Sequence, residues 1–353
     1  MNTLLIFGLG YSARAVAESV PEFTVLATSR SAEGRPLSGD DDPAGAPPRS
    51  LPAKPAVTAN EAKHAVTVNE ATPAVTVNEA KQPPTMEHGR LPRNDNGSES
   101  RRLHAPTVPL VPFDAAESAI AAATHILVTV PPDADGDPVL NRYAGVIASA
   151  PRLRWIGYLS STVVYGDRGG GWVDEDTPPA PSQPRGQRRL DAERAWSRFA
   201  ARQAVDIFRL AGIYGPGRSA LDDLRAGTAR RLSKPGHQFG RIHRDDIGRA
   251  VAAAMRQEQR TGCRVLNLAD DVPAESAAVV TEAARLMRVA PPPEIAFVDA
   301  LPAMTPMARG FWAEDRKVGS RKTQQALGLR WLHPSFREGL AAIWRQECRE
   351  RAP

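Results

Sequence analysis

Small residues near the start of the chain are spaced in a way that suits phosphate binding. Residues 4–7 (LLIF) are strand-like, and residues 14–18 (RAVAE) are compatible with a helix. Between the two stretches, Gly8 permits a tight turn, Gly10 lets the backbone approach a pyrophosphate, and Ala13 allows close helix–strand packing. Amides at the start of the helix and its positive dipole end attract phosphate. An ordinary strand–turn–helix is the plainer alternative. We expect a dinucleotide to contact Gly8, Gly10, Tyr11, Ser12 and Ala13.

The end of the second predicted strand bears on which dinucleotide binds. A carboxylate there usually binds the ribose 2′-hydroxyl of NAD, whereas an arginine accommodates the 2′-phosphate of NADP. Here the strand ends in Ser29 and Arg30, and no acidic residue follows until Glu33. Arg30 can pair with a phosphate through two parallel hydrogen bonds, although a solvated arginine would have the same sequence. The pattern favours NADP over NAD, and Asp114 after the third strand is a weaker candidate for a contact near the adenine.

Composition excludes several classes of protein. The 353 residues carry a net charge of +5, but the basic residues are dispersed and only 6% are aromatic, which fits a nucleic-acid-binding surface poorly. Cys263 and Cys348 lack metal-type spacing, so we expect a reducing compartment and no metal. No apolar stretch approaches the ~18 residues that cross a bilayer, and no secretory leader pattern precedes the first strand. We expect a cytoplasmic protein that binds a small molecule, with no membrane or nucleic-acid partner.

Residues 31–109 differ from the rest of the chain. They contain no aromatic residue, are rich in Pro, Gly, Ser and charge, and repeat a short unit at residues 56–62, 65–71 and 74–80. Each unit offers only a few small apolar side chains, which cannot offset the conformational entropy of ordering. We predict a disordered insertion here.

Without that insertion, strand-like and helix-like segments alternate. The predicted strands lie at residues 23–29, 108–113, 125–130, 153–160 and 205–210, and the predicted helices at 115–123, 143–149 and 190–202. Such alternation is typical of an α/β protein with a parallel sheet covered on both faces. The sequence therefore predicts a Rossmann-type, doubly wound parallel sheet, which supports the nucleotide-binding turn independently.

Further motifs follow in a characteristic order. They are residues 158–167 (YLSSTVVYGD), 209–217 (RLAGIYGPG), 241–247 (RIHRDDI), 267–271 (NLADD) and 322–331 (KTQQALGLRW). Together with the glycine turn, the chain resembles the extended or atypical short-chain dehydrogenase/reductases of the NAD-dependent epimerase/dehydratase superfamily, in the YeeZ-like branch.

The resemblance implies an organisation and a class of function. It implies an NAD(P)-binding Rossmann core over residues 1–30 and 110–210, and a smaller substrate-binding subdomain formed mainly by residues 211–353, with returns to the core. It also implies an oxidoreductase or epimerase/dehydratase acting on a small, sugar-like or phosphorylated substrate. Many members of the family form homodimers.

The family's catalytic residues are only partly present. Ser161 matches the serine that hydrogen-bonds the substrate oxygen in this family. The family's tyrosine and lysine fall on Arg185 and Arg189, in a register held by Gly186 and Glu193. Arg189 can bind ribose or phosphate, but Arg185 cannot replace a phenol as acid and base, because a guanidinium does not deprotonate in proteins.

Three interpretations stay open. The first is an enzyme with a displaced acid/base, for which Tyr165, Tyr214 and His243 are candidates; Tyr165 more often supports its loop, and His243 more often links segments by bonding Asp245 or Asp246. The second is a sensor or regulator that binds NADP(H) without turnover. The third is a site for an anionic substrate held by Arg185, Arg188 and Arg189, a cluster that is otherwise the solvated face of a helix.

Overall fold

The computed structural model describes residues 2–29 and 108–351. The insertion predicted over residues 31–109 therefore lies outside the described residues, except for Val108 and Pro109, which lead into the third strand. Arg30 also lies outside them.

The strands of the described ranges, in chain order, are β1 (Thr3–Phe7), β2 (Thr24–Ser29), β3 (Leu110–Pro112), β4 (His125–Val128), β5 (Trp155–Ser161), β6 (Trp172–Val173), β7 (Ala204–Leu210), β8 (Gly212–Tyr214), β9 (Arg231–Ser233), β10 (Arg241–His243), β11 (Gly262–Leu268), β12 (Glu294–Ala296) and β13 (Lys317–Val318).

The α-helices of the same ranges are α1 (Tyr11–Ser19), α2 (Glu117–Ala122), α3 (Pro138–Ala148), α4 (Pro184–Ser197), α5 (Ala220–Arg225), α6 (Arg244–Arg256), α7 (Ser276–Met287), α8 (Phe297–Ala300), α9 (Pro306–Ala313), α10 (Arg321–Leu327) and α11 (Phe336–Glu350). Short 3₁₀ turns occur at Phe113–Ala115, Thr162–Tyr165, Arg198–Ala201 and Leu301–Ala303.

Seven parallel strands form the central sheet, in the order β11-β7-β5-β4-β1-β2-β3. In β1, Leu4 and Ile6 pack on one face with residues of α1 and α6, whereas Leu5 and Phe7 pack on the other with α2 and α3. This alternation follows from the two-residue period of a strand. The prediction of a doubly wound, Rossmann-type sheet is confirmed.

Proline sets several boundaries that the sequence-based prediction missed. β3 ends at Pro112, at the edge of the sheet, where the missing N–H of a proline costs no ladder hydrogen bond. The helices predicted from residues 143 and 190 begin earlier, at Pro138 and Pro184, because proline is favoured in the first turn. Asp137 caps the first of these helices by accepting the amides of Val139 and Leu140.

Shorter parallel pairs supplement the main sheet. β8 pairs with β10, β9 with β12, and β6 with β13. β8 begins two residues after the end of β7. Its first residue is tied to the segment before β10, because Gly212 N–H donates to Gly240 O at 3.1 Å. The division at residue 211 stays a prediction. No helix within residues 2–29 and 108–351 is long and apolar enough to cross a membrane.

A buried ion pair holds α4 against the sheet. Glu193 on α4 and Arg209 on β7 are each about 5% exposed, and Arg209 Nη2 lies 2.7 Å from Glu193 Oε2. Arg209 Nε adds a bond of 3.1 Å to Oε1, and Ser160 Oγ on β5 donates to the same oxygen at 2.6 Å. The carboxylate thus joins one helix to two neighbouring strands.

Breaking this pair should cost far more stability than breaking an ordinary surface pair. Arg209→Met leaves the Glu193 carboxylate buried without its counter-charge, so we expect the free energy of unfolding to fall by roughly 3–5 kcal/mol. Urea denaturation measures this change through the midpoint at constant slope.

The double variant Arg209→Met with Glu193→Leu should recover much of the loss, since it removes the stranded charge. Arg256→Met is the matched control, because the Arg256–Glu22 pair is nearly half exposed and should contribute about 1 kcal/mol or less. Equal losses in the single and double variants would contradict the argument.

Candidate active site

The turn between β1 and α1 requires glycine at its first position. Gly8 has a φ of +88°, a region that side-chain-bearing residues rarely adopt. A Cβ on Gly8 would lie 2.9 Å from Val130 Cγ2, so a larger residue would also collide with the chain after β4.

Two threonines from neighbouring strands fix this turn. Gly8 N–H donates to Thr28 Oγ1 on β2 at 3.3 Å, and Thr129 Oγ1, just after β4, donates to Gly8 O at 2.8 Å. The carboxyl ends of three adjacent parallel strands therefore meet at one point. The sequence analysis missed both threonines, because a threonine at a strand end has no distinctive spacing.

The second half of the turn has the features of a pyrophosphate cradle. A Cβ on Gly10 would meet no heavy atom within 4 Å, so the backbone there faces open space. Gly10 is also the N-cap of α1 and provides no side-chain cap, which leaves the first amides of the helix to a ligand. Ser12 is buried, and its hydroxyl has no hydrogen-bond partner among the described residues. Ala13 is buried in the core. These residues fit the phosphates of a dinucleotide.

The Tyr11 side chain points away from this cradle and ties the turn to the loop after β8. Its hydroxyl donates to Pro216 O at 3.0 Å, and the Arg244 guanidinium lies 5.2 Å from the ring centre. A Cβ on Gly215 would lie 2.4 Å from the Tyr11 hydroxyl. Burial raises the pKa of Tyr11 above its ordinary value. The Tyr11 side chain is thus engaged within the protein, and its contact with a dinucleotide stays a prediction.

The residues expected near the ribose and adenine lie at the same edge of the sheet. Ser29 ends β2 and is paired in register with Pro112 of β3. Asp114 follows β3 in a 3₁₀ turn; its carboxylate is 81% exposed, and Arg142 Nε lies 3.6 Å from it. The roles of Ser29, Asp114 and Arg30 in cofactor binding stay predictions.

A cleft opens beyond the end of β5. Its polar side chains are Ser161, Thr162, Arg185, Gln238, Glu314 and Arg316. Its apolar side chains are Val163, Leu210, Ala211, Phe239, Phe311 and Val318. The structure thus brings together Ser161 and Arg185, which the sequence analysis selected, with residues from the last third of the described chain.

Arg185 lies at the start of α4 and lines this cleft. Among the described residues, its guanidinium makes no hydrogen bond or ion pair. Burial lowers its pKa, as do the nearby charges of Arg189, Arg316 and Arg188, while Glu314 opposes the shift. The side chain still carries a full positive charge, because arginine does not deprotonate in proteins.

Arg189 is directed differently. It lies one helical turn further along α4, is 5% exposed, and donates through Nη1 to Leu159 O at 2.9 Å and to the Tyr158 hydroxyl at 3.1 Å. It does not line the cleft with Arg185. The predicted clamp of Arg185, Arg188 and Arg189 is therefore not the arrangement observed. Arg189 donates hydrogen bonds to residues of β5, and Arg316 lines the cleft with Arg185 instead.

Tyr165, predicted as a catalytic candidate, has a structural position. Its hydroxyl donates to Asn267 Oδ1 at 2.8 Å and lies 2.9 Å from Asp174 O, while the Arg209 guanidinium stacks on its ring at 4.8 Å. The residue is fully buried and does not line the cleft. Its engaged hydroxyl gives no support to an acid/base role.

The other two candidates for a displaced acid/base lie at the far end of the β8–β10 pair. The Tyr214 hydroxyl donates to Ser335 O at 3.3 Å. His243 Nδ1 accepts the Asp245 amide at 3.2 Å, which caps α6, and its ring stacks on His333 at 3.9 Å. Burial, with the adjacent His333, lowers the pKa of His243 to about 3. His243 thus bonds the Asp245 backbone, and its role as a structural link stays a prediction.

Comparisons with known proteins agree with this geometry. No sequence-family profile matches the chain. A 3-diazoavenalumate denitrifying reductase from Streptomyces is 34% identical over 149 residues, 38% of this chain and 45% of that protein. Protein YeeZ from Escherichia coli is 33% identical over 147 residues, 41% of this chain and 50% of that protein. The chain thus spans about half the length of the curated relatives it matches.

Solved structures match over nearly the whole chain. A conserved protein of unknown function from Silicibacter pomeroyi is 31% identical, with a TM-score of 0.72, and the match covers 98% of this chain and 99% of that one. The chain is therefore similar to YeeZ over about half of that protein, and over nearly its whole length it shares the fold of the Silicibacter pomeroyi protein. MoeE5, solved with UDP-glucuronic acid and NAD, has the same fold at 17% identity with a TM-score of 0.63, covering 99% of both chains.

Arg185, whose guanidinium makes no hydrogen bond or ion pair among the described residues, is the main feature of the site. Most of the side chains around it came from outside the predicted motifs. Glu314 and Arg316 lie between α9 and β13, and Gln238 and Phe239 lie in the loop before β10. Phe311 lines the cleft and also packs against the core cluster that contains Trp312. No periodic signal marks these short segments.

The contact of Tyr11 with Gly215 should matter for dinucleotide affinity. We expect Gly215→Ala to displace Tyr11 and the turn next to it, and to weaken NADPH binding about tenfold, or ~1.4 kcal/mol. Calorimetry on the full chain measures the change. Adding Tyr11→Phe removes the colliding hydroxyl and should restore part of the affinity; unchanged binding by the single variant would contradict the link.

The approach of α4 to the 3₁₀ turn after β5 requires Gly186. A Cβ there would lie 3.0 Å from Val163 O and 2.9 Å from Pro181 Cβ. We expect Gly186→Ala to destabilise the protein by roughly 1–3 kcal/mol through overpacking. Gly145→Ala is the matched control: this helical glycine is exposed with no atom within 4 Å of its Cβ position, so alanine should stabilise by about 0.5–1 kcal/mol. Thermal unfolding compares the two, and the same sign for both would contradict the packing argument.

Proposed function

We propose that this protein is an NAD(P)-dependent reductase that acts on a small anionic substrate without a tyrosine as proton donor. The observation that carries the proposal is the combination of an uncapped glycine turn that fits a dinucleotide with Arg185 at the tyrosine position of the family. Ser161 at the end of β5 keeps the family serine in the same cleft.

In such a site, different residues of the chain would bind the cofactor, hydrogen-bond the substrate and stabilise charge on it. Gly10 and the first amides of α1 would hold the pyrophosphate, and the bound dinucleotide supplies hydride chemistry. Ser161 Oγ accepts the Val163 amide at 3.4 Å, which leaves its O–H to donate to a substrate oxygen. Arg185 offers a fixed positive charge that stabilises negative charge developing on the substrate.

The arginine at position 185 also limits which reactions the site could catalyse. Epimerisation and dehydration in this family need a side chain that removes and returns protons, and a phenol does so once its pKa of ~10 is lowered. A guanidinium stabilises an anion but exchanges no proton. Hydride reduction, with a proton taken from water afterwards, is the reaction that this site supports best. The name of one curated relative, a denitrifying reductase, supports the same choice.

A second candidate function is a sensor that binds NADP(H) without turnover. Arg189 favours it, because the hydrogen bonds of Arg189 to Tyr158 and Leu159 commit it to the protein rather than to a nicotinamide ribose. The two candidates share the dinucleotide turn and differ only in whether a substrate is reduced.

The binding experiment tests what the two candidates share. Calorimetry should detect NADPH or NADH binding at millimolar concentration or below, and its absence would refute both. If Arg30 binds the 2′-phosphate, Arg30→Ala weakens NADPH much more than NADH, and equal losses would exclude that role. Arg14→Ala, which removes an exposed arginine on α1, is the matched control.

The turnover experiment separates the candidates. We expect oxidation of NADPH with at least one acceptor from a panel of small carbonyl and diazo acids, unchanged in Arg194→Gln, an exposed position of α4. Arg185→Lys should keep most of the rate, and Arg185→Gln should lose about a hundredfold, as when one charge-stabilising donor is removed. Turnover by Arg185→Tyr with Arg189→Lys, but not by the unmodified protein, would favour the sensor.

A further inference from the structure

The charges around the cleft do not balance. Arg185 and Arg316 both line it, and Glu314 is its one lining carboxylate among the described residues. Glu314 Oε2 accepts Arg316 Nη1 at 2.6 Å, and Glu314 Oε1 accepts the Ser182 hydroxyl at 2.5 Å. Both oxygens are therefore engaged, and the Arg185 charge has no carboxylate in contact.

The surroundings of Arg185 make this imbalance larger. Arg188 and Arg189 lie near enough to repel its charge, and neither makes an ion pair within the described residues. Arg188 Nε is buried without a hydrogen-bond partner there. A half-buried guanidinium among other cations is electrostatically costly, and a bound anion would offset that cost through paired, charge-assisted hydrogen bonds.

Another part of the cleft lining is aromatic and apolar. The rings of Phe239 and Phe311 are stacked with centroids 4.5 Å apart and planes 11° apart. Trp312 holds Phe239 from the side at 4.9 Å, and the Phe239 amide donates to Ala274 O at 3.0 Å. A rigid aromatic wall contributes most to a planar apolar ligand, because ring pairs gain ~0.5–1.5 kcal/mol beyond the buried area.

We propose that the cleft selects a small organic carboxylate with a planar, unsaturated body, whose carboxylate binds Arg185 and whose body packs against the outer side of the stacked Phe239–Phe311 pair. The inference rests on the proposed function only in that this ligand is the hydride acceptor. A phosphate group would suit the arginine equally, but the aromatic wall favours a carbon framework beside the anion.

The test is equilibrium binding of defined compounds to the full chain, with and without NADPH. Benzoate and trans-cinnamate should bind with dissociation constants near or below the millimolar range, and benzamide, the neutral counterpart of benzoate, at least tenfold more weakly. Two further compounds test the carboxylate contact and the aromatic contact separately. Cyclohexanecarboxylate keeps the carboxylate but lacks a planar ring, and inorganic phosphate keeps the negative charge but lacks a carbon framework. Binding of phosphate or benzamide as tight as that of cinnamate would overturn the inference.

Variants assign the two contacts. We expect Arg185→Gln to weaken cinnamate at least tenfold, Arg185→Lys to weaken it less, and Arg194→Gln on the same helix to leave it unchanged. Phe311→Leu should reduce the preference for cinnamate over cyclohexanecarboxylate. Equal cinnamate affinity in Arg185→Gln and the unmodified protein would overturn the assignment.

NADPH titration of each variant keeps the two proposals distinguishable. If NADPH binds and no carboxylate does, the substrate inference fails and the dinucleotide site stands. If carboxylates bind but no dinucleotide does, the reductase proposal fails, whereas the anion site remains.

Discussion

The buried pair of Glu193 and Arg209 is the constraint on which the rest of the site depends. Removing both charges from water is costly. The hydrogen bonds from Arg209 and from Ser160 to the Glu193 carboxylate together offset that cost. Because Glu193 is on α4 and its partners are on β5 and β7, the bonds form in one register of the helix. A shift of α4 by one turn, about 5.4 Å, would leave the carboxylate without partners.

That register determines where the two arginines lie. Arg185, Arg189 and Glu193 are spaced by four residues and share one face of α4. Once Glu193 is fixed, Arg189 one turn before it reaches Leu159 O and Tyr158 beneath β5, and Arg185 two turns before it reaches the cleft. The same spacing in the family would direct a tyrosine into the cleft. The helix thus places the Arg185 side chain, at the position predicted for the family's tyrosine, in the cleft.

The parts predicted from sequence are those that local pattern determines. The apolar runs of β1, β4 and β5 gave strands, and Gly8 with Gly10 gave the turn, because a positive φ and an open approach restrict the residue type. Strand ends were less accurate where proline or a helix cap decides, as at Asp137 and Pro184. The direction of Arg189 was not predictable, because it depends on acceptors on β5 that come near only through the packing of α4.

The remainder of the cleft illustrates a different limit. Gln238, Phe239, Glu314 and Arg316 come from short segments after the main sheet, and no spacing relates them to Ser161 or Arg185. Their proximity arises from the small ladders, in which Val318 of β13 pairs with Val173 of β6 and Gly240 bonds Gly212. Such tertiary assembly determines the ligand, whereas the turn at Gly8 determines only the cofactor class.

If Arg185 and Arg189 replace the tyrosine and lysine of the family, as predicted, the exchange separates two tasks that this pair usually combines. Tyrosine with lysine both moves a proton and stabilises charge, because the amine lowers the pKa of the phenol. A guanidinium retains only the second task, and it retains it at every pH at which the protein is folded. The Arg185 charge, with no carboxylate against it in the described residues, is then either a permanent cost to stability or a binding site for an anion. Glu314 lies in the same cleft and offsets part of that cost, but its oxygens are bonded to Arg316 and Ser182. Within the described residues no carboxylate contacts Arg185, and an anionic ligand would offset the remainder.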